Sequence, residues 1–271
     1  MSLASREALA SARESLDALA DNTSVDAAKL ADELAAVTAL LDREVSLRRV
    51  LTDPAQAGEA KADLAKRLLS GQVGGECADL VAGMVRLRWS RSRDLVDAIE
   101  ELASSADLIA AERQGVLDDV EDELFRFGRI VASDSALRSA LTDKVADRAA
   151  KAALVHQLLD GRANPFTARL VDRLVTVPRG RSLEAGLNAL SKLAAERRDR
   201  TVAVVTSAVP LDDRQKQRLG DALAKLYGRR VHLNMDVDPE VIGGIQVRIG
   251  DEVINGTIAD RLAEAERRMA G

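Results

Sequence analysis

The chain repeats itself at a spacing of 90 residues, and that repeat limits its possible folds more than any other feature. Leu47-Arg-Arg-Val-Leu-Thr-Asp53 aligns with Leu137-Arg-Ser-Ala-Leu-Thr-Asp143. The register then holds without a gap: Lys61 with Lys151, Leu64 with Leu154, Leu68-Leu69 with Leu158-Leu159, Gly71 with Gly161, Leu80-Val81 with Leu170-Val171, Arg91-Ser92 with Arg181-Ser182. Upstream it joins Asp32-Glu33-Leu34 to Asp122-Glu123-Leu124. A match this long means one structural module used twice. The module is helical by pattern. Ala, Leu, Arg and Glu dominate residues 1–200, and apolar residues recur three and four apart, as in Leu9, Ala12, Leu16 and Leu19, or Leu30, Leu34, Val37 and Leu41. The second copy begins near Leu95, so residues 94–112 both end the first bundle and open the second. The expected organisation is a first bundle over 1–112, a second over 95–200 sharing one helix with it, and a separate domain over 201–271.

Local signals place the helix ends. Asn22-Thr23-Ser24 and Asp53-Pro54 read as helix starts, where a side-chain oxygen caps free amides and Pro fits the first turn. Gly71, Gly74-Gly75 and Gly161 read as stops. After Arg200 the texture changes. Thr201–Val209 is β-branched and stops at Pro210, a strand. Leu211–Tyr227 is helical, and Arg229–Val237 alternates, with Val231, Leu233, Met235 and Val237 on one face. Val241–Ile249 is a further alternating run, Asp251-Glu252 a turn, and 257–269 a final helix. The order strand–helix–strand–strand–helix predicts a small α/β domain, its last two strands close enough to pair as a hairpin. The fold class is therefore mainly α: a duplicated helical bundle followed by a small α/β domain.

Composition narrows the function. The net charge is −5, which argues against a phosphate-backbone partner, so no nucleic acid is expected. Aromatic residues make up 2% of the chain, few for base stacking or a flat cofactor. No apolar run approaches the roughly 18 residues of a membrane span. The N-terminal Met-Ser-Leu-Ala-Ser-Arg-Glu has no apolar signal core, and a lone Cys fits a reducing compartment, so a cytosolic location is expected.

Candidate chemistry is sparse. His156 has Lys66 as its repeat counterpart, and His232 lies opposite the apolar stripe of its strand; both read as surface residues without metal-ligand spacing. Cys77 matches Thr167 and reads as a small packing residue. Asp236 and Asp238 could flank a cation but fit an exposed strand end better. Gly243-Gly244 lacks the Gly-Lys of a phosphate loop and reads as a bulge or close backbone approach inside a strand. The run Arg86-Leu-Arg-Trp-Ser-Arg-Ser-Arg93 is either a solvated helix end or a partner site, with Trp89 exposed in the latter case. No catalytic, cofactor or metal residues are assigned. A protein that accepts amphipathic helices in its grooves fits best.

The C-terminal segment carries a resemblance. Val241-Ile-Gly-Gly-Ile-Gln-Val-Arg-Ile-Gly250, then Val253-Ile-Asn-Gly-Thr-Ile258 and Arg261-Leu262, resembles the signature of the ATP synthase delta subunit family, which includes the mitochondrial oligomycin-sensitivity-conferring protein. Asn255 stands where the family usually has Asp, and Thr257 where it has Ser; both can cap a helix. Gly243, Gly244, Gly250, Asn255, Gly256, Thr257 and Arg261 form the motif. Leu211–Leu233 resembles the family's preceding helix and strand, and Arg181 the Arg that opens its last bundle helix. The chain is about ninety residues longer than the usual bacterial subunit, as in the enlarged actinobacterial form, and the duplicated module accounts for the excess. The resemblance implies a non-catalytic stator. The bundle would grip the N-terminal helix of an ATP synthase alpha subunit, with Ala8, Leu9, Ala12, Arg91 and Arg181 as candidate contacts. The C-terminal domain would hold the b stalk subunit or a b-type fusion partner. Membrane association, on the cytoplasmic face, would come only through the complex. The alternatives are a tandem helical adaptor outside the ATP synthase and, more remotely, a small hydrolase using Asp236, Asp238 or Cys77.

Overall fold

A computed structural model describes residues 2–143, 145–198, 201–227, 231–238, 244–249 and 252–255. The chain divides into two compact units, Met1–Ala195 and Glu196–Gly271.

The first unit is built from eleven helices: α1 (Leu3–Ala20), α2 (Ala27–Arg43), α3 (Val45–Leu51), α4 (Gly58–Leu69), α5 (Gly75–Arg86), α6 (Ser92–Arg113), α7 (Leu117–Ser133), α8 (Ser135–Thr142), α9 (Arg148–Leu159), α10 (Pro165–Thr176) and α11 (Leu183–Arg198). Adding 90 to the bounds of α2, α4 and α5 gives those of α7, α9 and α10. The same shift carries α1 onto α6, α3 onto α8 and α6 onto α11 within a few residues. The sequence repeat is therefore a repeat of elements. Gly71 (φ 75°) and Gly161 (φ 63°) follow α4 and α9 in the left-handed conformation that suits glycine.

Other helix ends differ from expectation. Asp26, not Asn22-Thr23-Ser24, caps α2, accepting from the Lys29 N–H at 3.0 Å. Asn22 holds the preceding turn by accepting from Ser24 N at 3.0 Å. Asp53-Pro54 likewise forms a turn, Asp53 accepting from Ala55 N, and α4 starts later, at Gly58. Gly74 opens α5 rather than closing a helix. At Asn22 and Asp53 a short side chain closes an Asx turn with its own backbone, which competes with capping.

Helix α6 lies at the centre. It packs against α1, α2, α3 and α5 on the first-copy side and α7 and α10 on the second. Fifteen of its 22 residues are buried, against four of the 18 in its counterpart α1. One helix serving both copies keeps only a narrow half-open strip, through Asp97, Glu101 and Ser105.

The second unit holds β1 (Thr201–Ser207), α12 (Asp213–Tyr227), β2 (Val231–Val237), β3 (Ile245–Ile249) and β4 (Glu252–Asn255). The sheet order is β2-β1-β3-β4. β1 pairs parallel with β2, Val205 opposite Met235, and antiparallel with β3, Val205 opposite Val247. The expected hairpin between β2 and β3 does not form, because β1 lies between them. α12 crosses from β1 to β2, which a parallel pair requires. The hairpin is made one strand later, by β3 and β4, so Glu252 starts a strand rather than sitting in a turn, and Asn255 pairs with Gln246. Val205, Leu211, Leu223 and Val247 form the core, with Val231, Leu233 and Met235 packed on it; Val237 is exposed. The expected final helix, with Gly250, Gly256, Thr257 and Arg261, and also Gly243, lie outside the described residues.

Candidate functional site

The first-copy surface where partner contacts were expected is built from α1, α5 and the turn into α6. Ser5 on α1 is buried, and its hydroxyl donates to Asp94 Oδ2 at 2.8 Å while accepting from Ser90 N at 3.0 Å. Arg91 donates to the other Asp94 oxygen at 2.8 Å. Burial raises the Asp94 carboxyl, but the hydrogen bonds from Arg91 and Ser5 outweigh it and hold the group below the usual carboxylate range. Arg91 thus keeps an exposed guanidinium edge while closing the start of α6. Ala8 and Ala12 are 5% and 1% exposed and belong to the unit's own core. Of the three α1 candidates only Leu9 stays partly open, at the core's edge.

The partner reading of the run 86–93 needs an exposed Trp89, and the ring is not exposed. It is 6% exposed, and its indole Nε1–H donates to the Met84 carbonyl at 2.8 Å. The α5 helix ends there, so the ring finds both an apolar wall and a terminal carbonyl that it shares with the Leu87 N–H, itself 3.2 Å away. Cys77 is buried, and its thiol is pushed up to about 12 by burial and by the Glu33 carboxylate. That is a packing residue, not a nucleophile. His156 is exposed on α9, and Asp236 and Asp238 are exposed at the end of β2. Among the described residues no group of three or more His, Cys, Asp or Glu could hold a metal ion.

Two ionic nodes that sequence reading did not find join the copies. In one, Asp107 of α6, with no exposed side-chain surface, meets Arg169 at 3.0 Å and Arg173 at 2.9 Å, both on α10. Arg169 also reaches Asp32 of α2 at 2.7 Å. In the other, Arg179, between α10 and α11, has a side chain 2% exposed and spans Asp42 of α2 (3.2 Å) and Asp97 (2.9 Å) and Glu100 (2.7 Å) of α6. Arg181 joins it on Glu100. Arg179 has φ 50°, a conformation that a non-glycine residue adopts only when its surroundings hold it there. A signal for the nodes exists, because these are places where the repeat breaks. Arg169, Arg173, Arg179 and Glu100 stand opposite Asp79, Gly83, Trp89 and Ala10.

Gly244 is exposed and sits in a bend before β3 with φ 96°. The turn, rather than close packing inside a strand, requires the glycine.

No helix among the described residues is long and apolar enough to cross a membrane. Residues 103–269 match the family described as ATP synthase delta (OSCP) subunit. A chain of Streptomyces griseus named ATP synthase subunit delta is 76% identical over 271 residues, covering all of both chains. That of Streptomyces coelicolor is 72% identical, covering 98% of this chain and 97% of its own. That of Kineococcus radiotolerans is 46% identical, covering 98% and 96%. Full-length likeness of this order leaves no room for a separate adaptor whose C-terminal match is accidental. The chain belongs to the ATP synthase delta (OSCP) subunit family.

Proposed function

We propose that the chain clamps the ATP synthase head to its peripheral stalk with two separate grips. The unit Met1–Ala195 receives the N-terminal helix of an alpha subunit, and Glu196–Gly271 holds the end of the b stalk or of a b-type fusion partner. As a member of this family the chain is a non-catalytic stator subunit of the ATP synthase. Its work is mechanical, so distributed contacts and slow dissociation matter more than a reactive group. It reaches the cytoplasmic face of the membrane through the complex.

Within the first unit we read two bundles, 1–112 and 95–200, sharing α6. The burial of α6 carries the choice between them. A helix packed on both sides offers little apolar surface to a partner, whereas α1, its counterpart, is buried on one face only. The alpha helix therefore docks on the first copy, along α1 near Leu9 and toward Arg91. Titrating the intact chain with a synthetic alpha-subunit N-terminal helix should give 1:1 binding and NMR shifts centred on α1. A flat titration would overturn this reading. Shifts centred on α11 would move the site to the second copy.

A further inference from the structure

The turn between α5 and α6 carries charge of one sign. Arg86, Arg88, Arg91 and Arg93 fall in a run without a carboxylate, in a chain whose net charge is −5. The repeat separates the arginines that the bundle needs from those it does not. Arg91 matches Arg181, and each closes on a carboxylate of α6, Asp94 at 2.8 Å in one case and Glu100 in the other. Arg86, Arg88 and Arg93 stand opposite Thr176, Pro178 and Leu183, so the second copy builds the same turn without them. Arg86 makes a two-pronged pair with Glu59, Nε to Oε1 at 2.9 Å and Nη2 to Oε2 at 3.0 Å. Arg88 is exposed, and no ion pair engages it among the described residues. Arg93 is exposed and gives an N–H to the Arg179 carbonyl at 2.7 Å, a bond that leaves its charge uncompensated. Arg6 joins the same end, exposed and likewise without an ion pair among the described residues. It follows Ser5, which accepts from Ser90 N, and lies one turn from Ser2, whose hydroxyl meets that of Ser90.

We propose that this basic end docks a carboxylate-rich segment of a partner protein, with Arg6, Arg88 and Arg93 as the receiving charges. Charge complementarity sets the sign of the occupant. The pairs already made on this surface set its chemistry, since Arg86 and Arg91 both take carboxylates, which the planar guanidinium fork matches. Leu3, 65% exposed beside Ser2 at the start of α1, adds an apolar neighbour that a protein segment can cover. A nucleic acid or an anionic bilayer would meet the repulsion of a chain that is acidic as a whole. The turn is also rigid. Trp89 ties it to the end of α5, Ser90 to α1 and Arg93 to the α10–α11 turn, so little freedom is lost when a partner binds. The site stands whether or not an alpha-subunit helix lies along α1.

The test titrates the intact, amide-labelled chain by NMR with a capped Glu-Glu-Leu-Glu-Glu-Leu-Glu peptide. Twins carry Gln or Lys at every Glu, and a short DNA duplex and phosphatidylglycerol vesicles serve as phosphate probes. The Glu peptide should shift the amides of Arg6, Arg88 and Arg93 and leave those of α9 in place. The Gln twin should bind about tenfold more weakly, the combined worth of a few exposed charge pairs. Arg88→Glu with Arg93→Glu should weaken the Glu peptide by about the same factor and strengthen the Lys twin, a reversal that a misfolded variant would not give. Equal binding of the Glu and Gln peptides, shifts only elsewhere, or binding of DNA or vesicles in place of the peptide would overturn the proposal.

Discussion

At the scale of single residues the chain spends its polar groups on holding helix ends, and this makes two titrations predictable. The Cys77 thiol is raised to about 12 by burial and Glu33. It should resist thiol reagents at pH 8 in the native chain and react at an ordinary rate once denaturant is added; fast native labelling would refute its burial. The linkage has a sign. Between roughly pH 8.5, the unfolded thiol value, and pH 12 the native state keeps a proton that the unfolded state has lost, so this group's contribution to stability falls as pH rises. Asp94 works in the opposite sense. Its depressed carboxyl gives stability that is present above the ordinary Asp value near 3.9 and is lost as pH falls through the lower folded value. Asp94→Asn should therefore cost about 1.5–3 kcal/mol at pH 7, the worth of hydrogen bonds to a buried charge. The cost should shrink toward zero in acid, as read from urea midpoints across pH. Cys77 as a packing residue was legible from its match to Thr167. Burial of Trp89 was not, because the basic run around it gives no sign that the chain folds the ring under the end of α5.

At the scale of elements the repeat made nearly all of the helical unit legible. Periodicity marks a helix, and a gapless match 90 residues away marks it again. What periodicity cannot show is strand order. The short link between β2 and β3 invited a hairpin, yet β1 lies between them, since pairing depends on the α12 crossover and not on sequence distance. Helix contact is equally hidden. Gly186 on α11 faces Leu174 of α10, and an added Cβ would overlap both Leu174 methyl carbons. Gly186→Ala gains about 1 kcal/mol of helix propensity but should lose more to overpacking, about 1–3 kcal/mol. A lower denaturant midpoint would confirm the crowding, and a raised one would refute it. Gly244→Val should cost the C-terminal unit about 1–3 kcal/mol, because a β-branched residue does not tolerate φ 96°. Faster amide exchange along β1 and β3 would report it; unchanged exchange would mean the bend can relax.

At the scale of the whole molecule the duplicated unit is more than two bundles in series. Asp107 and Arg179 are buried charges whose nodes reach across the copies: Asp107 on the shared α6 holds α10, whose Arg169 reaches Asp32 of α2, and Arg179 runs from the α10–α11 turn to α2 and α6. Buried pairs of this kind often add little net stability, but removing one partner leaves uncompensated charge behind. Arg179→Ala would leave Asp42, Asp97 and Glu100 facing one another, with Arg181 on Glu100 and Arg48 at 3.9 Å from Asp42 as partial compensation. Asp42 and Asp97 keep about a third of their surface in water, so the expected loss is about 2–4 kcal/mol rather than the full figure for a sealed site. Arg179→Lys should recover little of it, since one ammonium cannot reach three carboxylates from two helices as a planar guanidinium does. The form of the unfolding curve matters more than its midpoint. If the nodes bind the copies into one cooperative body, the native chain melts its helices in a single step, and Arg179→Ala combined with Arg169→Ala separates that step into two. A stator needs such rigidity, because torque on the head would otherwise be absorbed in bending between the copies. A double variant that still melts in one step would mean that the packing of α2 on α6 suffices and that the nodes only set the register between copies.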